Sequence, residues 1–98
     1  MPVPDSFSGL TFRLHAIQRM FQRGISVDDV RHVVESGSVV EDYPDDQPYP
    51  SRLLVGWRQA RPIHVVCAHN PGDREIIVVT VYEPDPQKWN STFTRRRA

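Results

Sequence analysis

The spacing of apolar residues changes once along this chain, near residue 38, and divides it into a helical part and a sheet part. Leu14, Ala16, Ile17, Met20 and Phe21 fall on one arc at about 100° per residue, which predicts a helix over 14–23 with that arc toward the core. Gly24 supplies the left-handed residue that commonly ends a helix, and Ile25 the apolar contact behind it. Ser26 is a good N-cap for a second helix over 26–36, and Asp29 three residues later completes a variant of the capping box. Val27, Val30, Val33 and Val34 form the apolar face of that helix, and Ser36-Gly37 closes it.

From Val39 the period is two. Strands are predicted over Val39–Tyr43, Arg52–Trp57, Arg61 or Pro62 to His69, and Glu75–Tyr82. The segment from Pro44 to Pro50 is a loop, because its three prolines exclude regular pairing. Arg58–Arg61 suits a hairpin link, and Asn70-Pro-Gly-Asp73 suits a type II turn. Leu10, Phe12 and Leu14 alternate as a short edge strand would, after a loose arm over Met1–Gly9. Beyond Pro84 and Pro86, Trp89 is placed to fold back as a hydrophobic latch, and Thr92–Ala98 reads as a basic tail. The expected architecture is α+β: an N-terminal helical hairpin packed on a four-stranded antiparallel sheet, in one domain of 98 residues.

Composition narrows the function classes. Twelve basic and twelve acidic residues cancel, so no global field draws nucleic acid. Eleven of the basic residues are arginine, which suits bidentate binding of phosphate or carboxylate. A single cysteine, Cys67, rules out an internal disulfide and reads as a buried strand residue. His64 and His69 point to opposite faces of one strand, so they do not chelate together, and neither metal nor cofactor is expected. No stretch is long and apolar enough to span a membrane, and no signal peptide is recognisable, so a cytoplasmic bacterial protein is the expectation.

Several separated motifs occur in one order: His15-x3-Arg19-Met20-x2-Arg23-Gly24-Ile25, Asp42-Tyr43-Pro44, Leu54-x-Gly56-Trp57, Pro62-x-His64-Val65-Val66, Thr80-x-Tyr82-Glu83-Pro84-Asp85 and Trp89. This pattern resembles the small bacterial family called domain of unknown function 4258, which is similar in element order to RelE/ParE toxins. The resemblance implies a toxin-like fold, an antitoxin-like protein partner, and a metal-independent ribonuclease acting on RNA or at the ribosome. The chain departs from RelE-like toxins in being neutral, with Glu41, Asp42, Asp45 and Asp46 crowded beside the proline loop.

The candidate chemistry follows from those residues, and each candidate has a structural alternative. His15, Arg19 and Arg23 recur every four residues as a half-buried stripe beside the core. His15 is either a general acid–base group or an orienting histidine bonded to a carbonyl. Arg19 and Arg23 either grip a phosphate or pair with Glu83, Asp85 or Asp42. His64 is either catalytic or a core hydrogen-bonding group. Tyr82 and Glu83 are either a proton donor and acceptor for attack by a ribose hydroxyl, or a strand-end cap with Tyr82 packed on Trp89. Arg95–Arg97 read as a solvated tail or a nonspecific phosphate contact. The second functional class is a non-catalytic interaction module of the same fold, with the Asp42–Pro50 loop, bearing Tyr43 and Tyr49, as its contact surface.

Overall fold

The computed structural model describes residues 9–70, 72 and 74–98. Met1–Ser8 of the expected arm lie outside them, as do Pro71 and Asp73 of the expected type II turn. The elements in order are β1 (Gly9–Phe12), α1 (Leu14–Arg23), α2 (Val27–Ser36), β2 (Ser38–Tyr43), β3 (Ser51–Arg58), β4 (Arg61–His69) and β5 (Glu75–Tyr82).

The junction between the helices is specified locally. Gly24 adopts φ 64°, and the Ile25 amide returns to the Met20 carbonyl at 2.9 Å. The Ser26 hydroxyl accepts from the Asp29 amide at 3.0 Å, and the Asp29 carboxylate accepts from the Ser26 amide at 3.0 Å. The Ser26 amide, with Arg58 alongside, holds the Asp29 carboxyl below its ordinary range despite some burial. Gln59 and Ala60, both at positive φ, make the tight turn between β3 and β4.

The sheet order is β1-β5-β4-β3-β2. Strands β2 to β5 form the expected antiparallel meander. The expectation of a four-stranded antiparallel sheet needs one correction: β1 joins as a fifth, parallel strand, with Leu10 opposite Ile76 and Phe12 opposite Val78. Its partner lies far along the chain, so local periodicity shows the short strand but not its pairing.

Both sheet faces are covered. Leu54, Ile63, Val65, Cys67, Ile76, Val78 and Val81 meet Ala16, Met20, Ile25, Val30, Val33 and Val34 of the helical layer. Leu53, Val55 and His64 alternate with these and are buried on the opposite face, where Trp89 is also buried. The segment after β5 doubles back on itself: Trp89 bridges to Arg96, and the Arg97 amide reaches the Lys88 carbonyl at 2.8 Å. The basic run is thus the return limb of a small hairpin rather than a free tail, although the side chains of Arg95–Arg97 stay exposed.

Helix α1 departs from its expected orientation. Of the five apolar arc residues only Ala16 and Met20 are buried, whereas Leu14 is 69% and Phe21 90% exposed. The helix packs over β5, and among the described residues only the edge strand β1 lies beyond it and no further layer covers its outer side.

Helix α2 lies close on β3 because Gly56 has no side chain: a Cβ there would come within 2.7 Å of Val33 Cγ2. Gly56→Ala should therefore cost about 1–3 kcal/mol through overpacking. The loss should shrink in a Val33→Ala background, as a double-mutant cycle of denaturant unfolding would show.

Candidate functional site

His64 occupies the middle of β4 with no exposed surface. Its Nε2 lies 2.8 Å from the Phe93 carbonyl and its Nδ1 lies 3.1 Å from the Tyr82 hydroxyl. A carbonyl only accepts, so Nε2 carries the proton and Tyr82 donates to Nδ1. The neutral ring is thereby satisfied at both nitrogens. It also meets Trp89 edge to face at 4.6 Å and Tyr82 at 5.2 Å. Burial pushes the His64 pKa below its ordinary value, with the Phe93 carbonyl opposing and Arg96 assisting. Burial also raises the Tyr82 phenol. The sequence left core bonding and catalysis open for His64, and both ring nitrogens are engaged, Nδ1 within the sheet by Tyr82 of β5 and Nε2 in holding the C-terminal hairpin through the Phe93 carbonyl. Trp89 takes the latch position its sequence suggests, against His64.

Helix α1 places His15, Arg19 and Arg23 along one side, but all three are exposed rather than half-buried. Among the described residues neither arginine forms an ion pair with Glu83, Asp85 or Asp42; Arg23 only lines a shallow pocket with Glu83 and Asp85. Glu83 pairs with Arg61 at 3.2 Å, and Asp42 with Arg52 at 2.7 Å. Arg61 also donates to the Gly24 carbonyl at 3.2 Å and to the Arg23 carbonyl, capping the end of α1. Arg58, across the β3–β4 turn, pairs with Asp29 of α2 at 3.0 Å. These two arginines escaped the sequence reading; the capped Gly24–Ser26 link was the only signal that its groups would need partners.

The candidate residues therefore form two groups. Alternation in β4 puts His64 on the face away from the helices, and Tyr82, its cross-strand partner in β5, lies beside it, whereas His15, Arg19 and Arg23 ride on the helical layer. The structure does not bring the stripe to the His64–Tyr82 pair. The proline loop is also occupied by internal bonds: Tyr43 donates to Glu41 at 3.2 Å, and Tyr49 accepts from Asn70 at 3.1 Å. Burial, with Glu41 beside it, raises the Tyr43 phenol. Cys67 lies in the core, and burial pushes its thiol up to about 11.

The most exposed apolar surface is elsewhere. Phe12, Ile17, Met20, Phe21, Ile25 and Val27 line a groove of about 300 Å³ beside α1, and Leu14 adjoins it on the same helix. Helical periodicity marked Leu14, Ile17, Phe21 and Val27 as core-facing, and these are the exposed ones, whereas Met20 is buried as expected.

Against known proteins, the model of one family, Domain of unknown function (DUF4258), matches residues 12–83, well over half of the chain. No curated protein and no solved structure gives a match.

His64 generates a pH prediction. Folding keeps the imidazole neutral, so the unfolded chain takes up the proton first as pH falls through the ordinary value of 6.5. Stability should then decline below pH 6.5, by at most about 1.4 kcal/mol per pH unit, until the folded group itself titrates. His64→Gln, which keeps a donor for the Phe93 carbonyl, should lose that component of the slope in chemical denaturation. His64→Ala should cost about 2–4 kcal/mol at neutral pH, from lost packing and unpaired partners.

Proposed function

We propose that this chain, which belongs to the family of domain of unknown function 4258, is a protein-binding module whose α1 receives an acidic amphipathic helix from a partner protein. The observation that carries the reading is Phe21, 90% exposed beside an apolar groove on a helix that the fold leaves uncovered. The partner's chemistry follows from the wheel of α1. Ile17, Phe21 and Leu14 form one side of its outer surface, Gln18 and Gln22 the middle, and His15, Arg19 and Arg23 the other side. A segment laid across that surface meets an apolar edge and a cationic edge whose arginines have no ion pair among the described residues. Apolar side chains at helical spacing flanked by carboxylates complement both. The resemblance to toxins that pair with antitoxins supports the same class of partner.

A second reading keeps RNA as substrate, and one observation favours it. On the sheet face away from the helices, Glu41 and Arg96 lie close enough to Tyr43 and Tyr82 to act on both phenols, Glu41 raising and Arg96 lowering them. There Arg96 would meet a phosphate and Glu41 would take a proton, without His15, Arg19 or Arg23. Cleavage of labelled RNA that is lost in Arg96→Ala, and retained in Arg19→Ala, would favour this reading.

Selection of binders from an unbiased peptide-display library tests the first reading. It should return acidic amphipathic sequences whose affinity falls about tenfold or more with Phe21→Ser, as loss of an interface anchor does. Reversing Arg19 and Arg23 to glutamate should weaken the same peptides and flatten their salt dependence. Binders that ignore Phe21→Ser would overturn the proposal. Self-association of the free chain abolished by Phe21→Ser would assign the surface to a second copy instead.

A further inference from the structure

We propose that the cleft between the end of α2 and the C-terminal hairpin binds a neutral, polyhydroxylated ring of monosaccharide size. Strand β2 begins with Ser38 opposite Val55, whereas β3 runs on to Arg58, so one edge of β3 is left without a strand beside Gly56 and Trp57. The space there, about 410 Å³, has His32, Ser36 and Ser38 on one wall and Thr92 and Thr94 on the other. That volume lies in the range of small-molecule sites.

The lining sets the ligand's chemistry. Among the described residues it contains hydroxyls and an imidazole but no Lys, Arg, Asp or Glu, so a charged ligand would lose hydration without a counter-charge. The negative end of the α2 dipole points here, with no basic residue in the last turn, which disfavours anions and favours ligand hydroxyl donors. Two hydroxyls are already positioned: Thr92 Oγ1 and Thr94 Oγ1 lie 2.8 Å apart, and both are bonded to the Asn90 side chain. Trp57 is 44% exposed, and its ring is braced edge-on by Phe93 at 5.6 Å. A braced indole beside hydroxyls whose protons are committed and whose lone pairs accept matches a ring with one apolar face and hydroxyl donors around its rim. The site binds and does not cleave by a serine: the Ser36 hydroxyl donates to the His32 carbonyl at 2.7 Å, so His32 Nε2, 3.4 Å away, takes no proton from it.

The test is a titration of the full chain, followed by NMR, with methyl glycosides of glucose, galactose, mannose and N-acetylglucosamine, and with glucose phosphate as the anionic comparison. The chain has two tryptophans, and buried Trp89 serves as the internal control for Trp57. At least one neutral glycoside should shift the Trp57 indole signal while leaving Trp89 in place, and glucose phosphate should bind more weakly. Trp57→Ala should lower the affinity about tenfold, on the scale of losing one aromatic wall. Should that variant unfold, Ser38→Val, which replaces an exposed hydroxyl with methyls, should lower it several-fold. A Trp57 signal that no glycoside moves, equal shifts of both tryptophans, or preference for the phosphate would each overturn the proposal.

Discussion

The fold depends on burying β3 and β4 from both sides. Leu54, Ile63, Val65 and Cys67 need the helical layer, and Leu53, Val55 and His64 need a second cover that the helices cannot provide. The C-terminal hairpin is that cover. It is short, and His64 fixes its position with a directional bond to the Phe93 carbonyl, its tautomer set by Tyr82 of β5, rather than with apolar area alone. A buried imidazole satisfied at both nitrogens contributes little net energy as a hydrogen-bonding group. It would cost a great deal if either partner were absent, so it selects one seating of the hairpin. The same demand explains why a polar residue is tolerated mid-strand in an otherwise apolar layer.

The helical layer is registered on the sheet by a different device. The two arginines flanking the Gln59–Ala60 turn reach opposite sides of the Gly24–Ser26 link: Arg61 to the carbonyls ending α1, and Arg58 to Asp29 at the start of α2. All of these groups are partly exposed, so each ion pair is worth little. The value of the arrangement is geometric, since one tight turn sets the height of both helix ends over the sheet. Gly56 then lets α2 settle against β3, and the mismatch between the starts of β2 and the end of β3 leaves the cleft beside Trp57.

Function is best sought where the fold spends stability without visible return. An exposed phenylalanine, and cations that have no ion pair among the described residues, are two such places on opposite edges of the one ten-residue helix α1. They make sense together if something lies across the helix. His64 and Tyr82, in contrast, are explained by the fold they hold together, and a neutral chain offers RNA no long-range attraction.

What the sequence determined by itself was local. The Gly24 stop, the Ser26–Asp29 capping box, the change of period at the sheet and the latch at Trp89 are each written in a few adjacent residues, and each is found where those residues put it. The two-sided patterning of β4 likewise placed His64 and Cys67 on opposite faces before any contact was known. The tertiary structure decided everything that depends on a distant neighbour. It paired β1 with β5, gave Glu83 to Arg61 and Asp42 to Arg52, folded the basic run back onto Trp89, and left half of the α1 arc uncovered. Periodicity reports which side chains share a helix face, but burial is set by whether another layer lies over that face. At the edge of this sheet, beyond β1, there is none among the described residues.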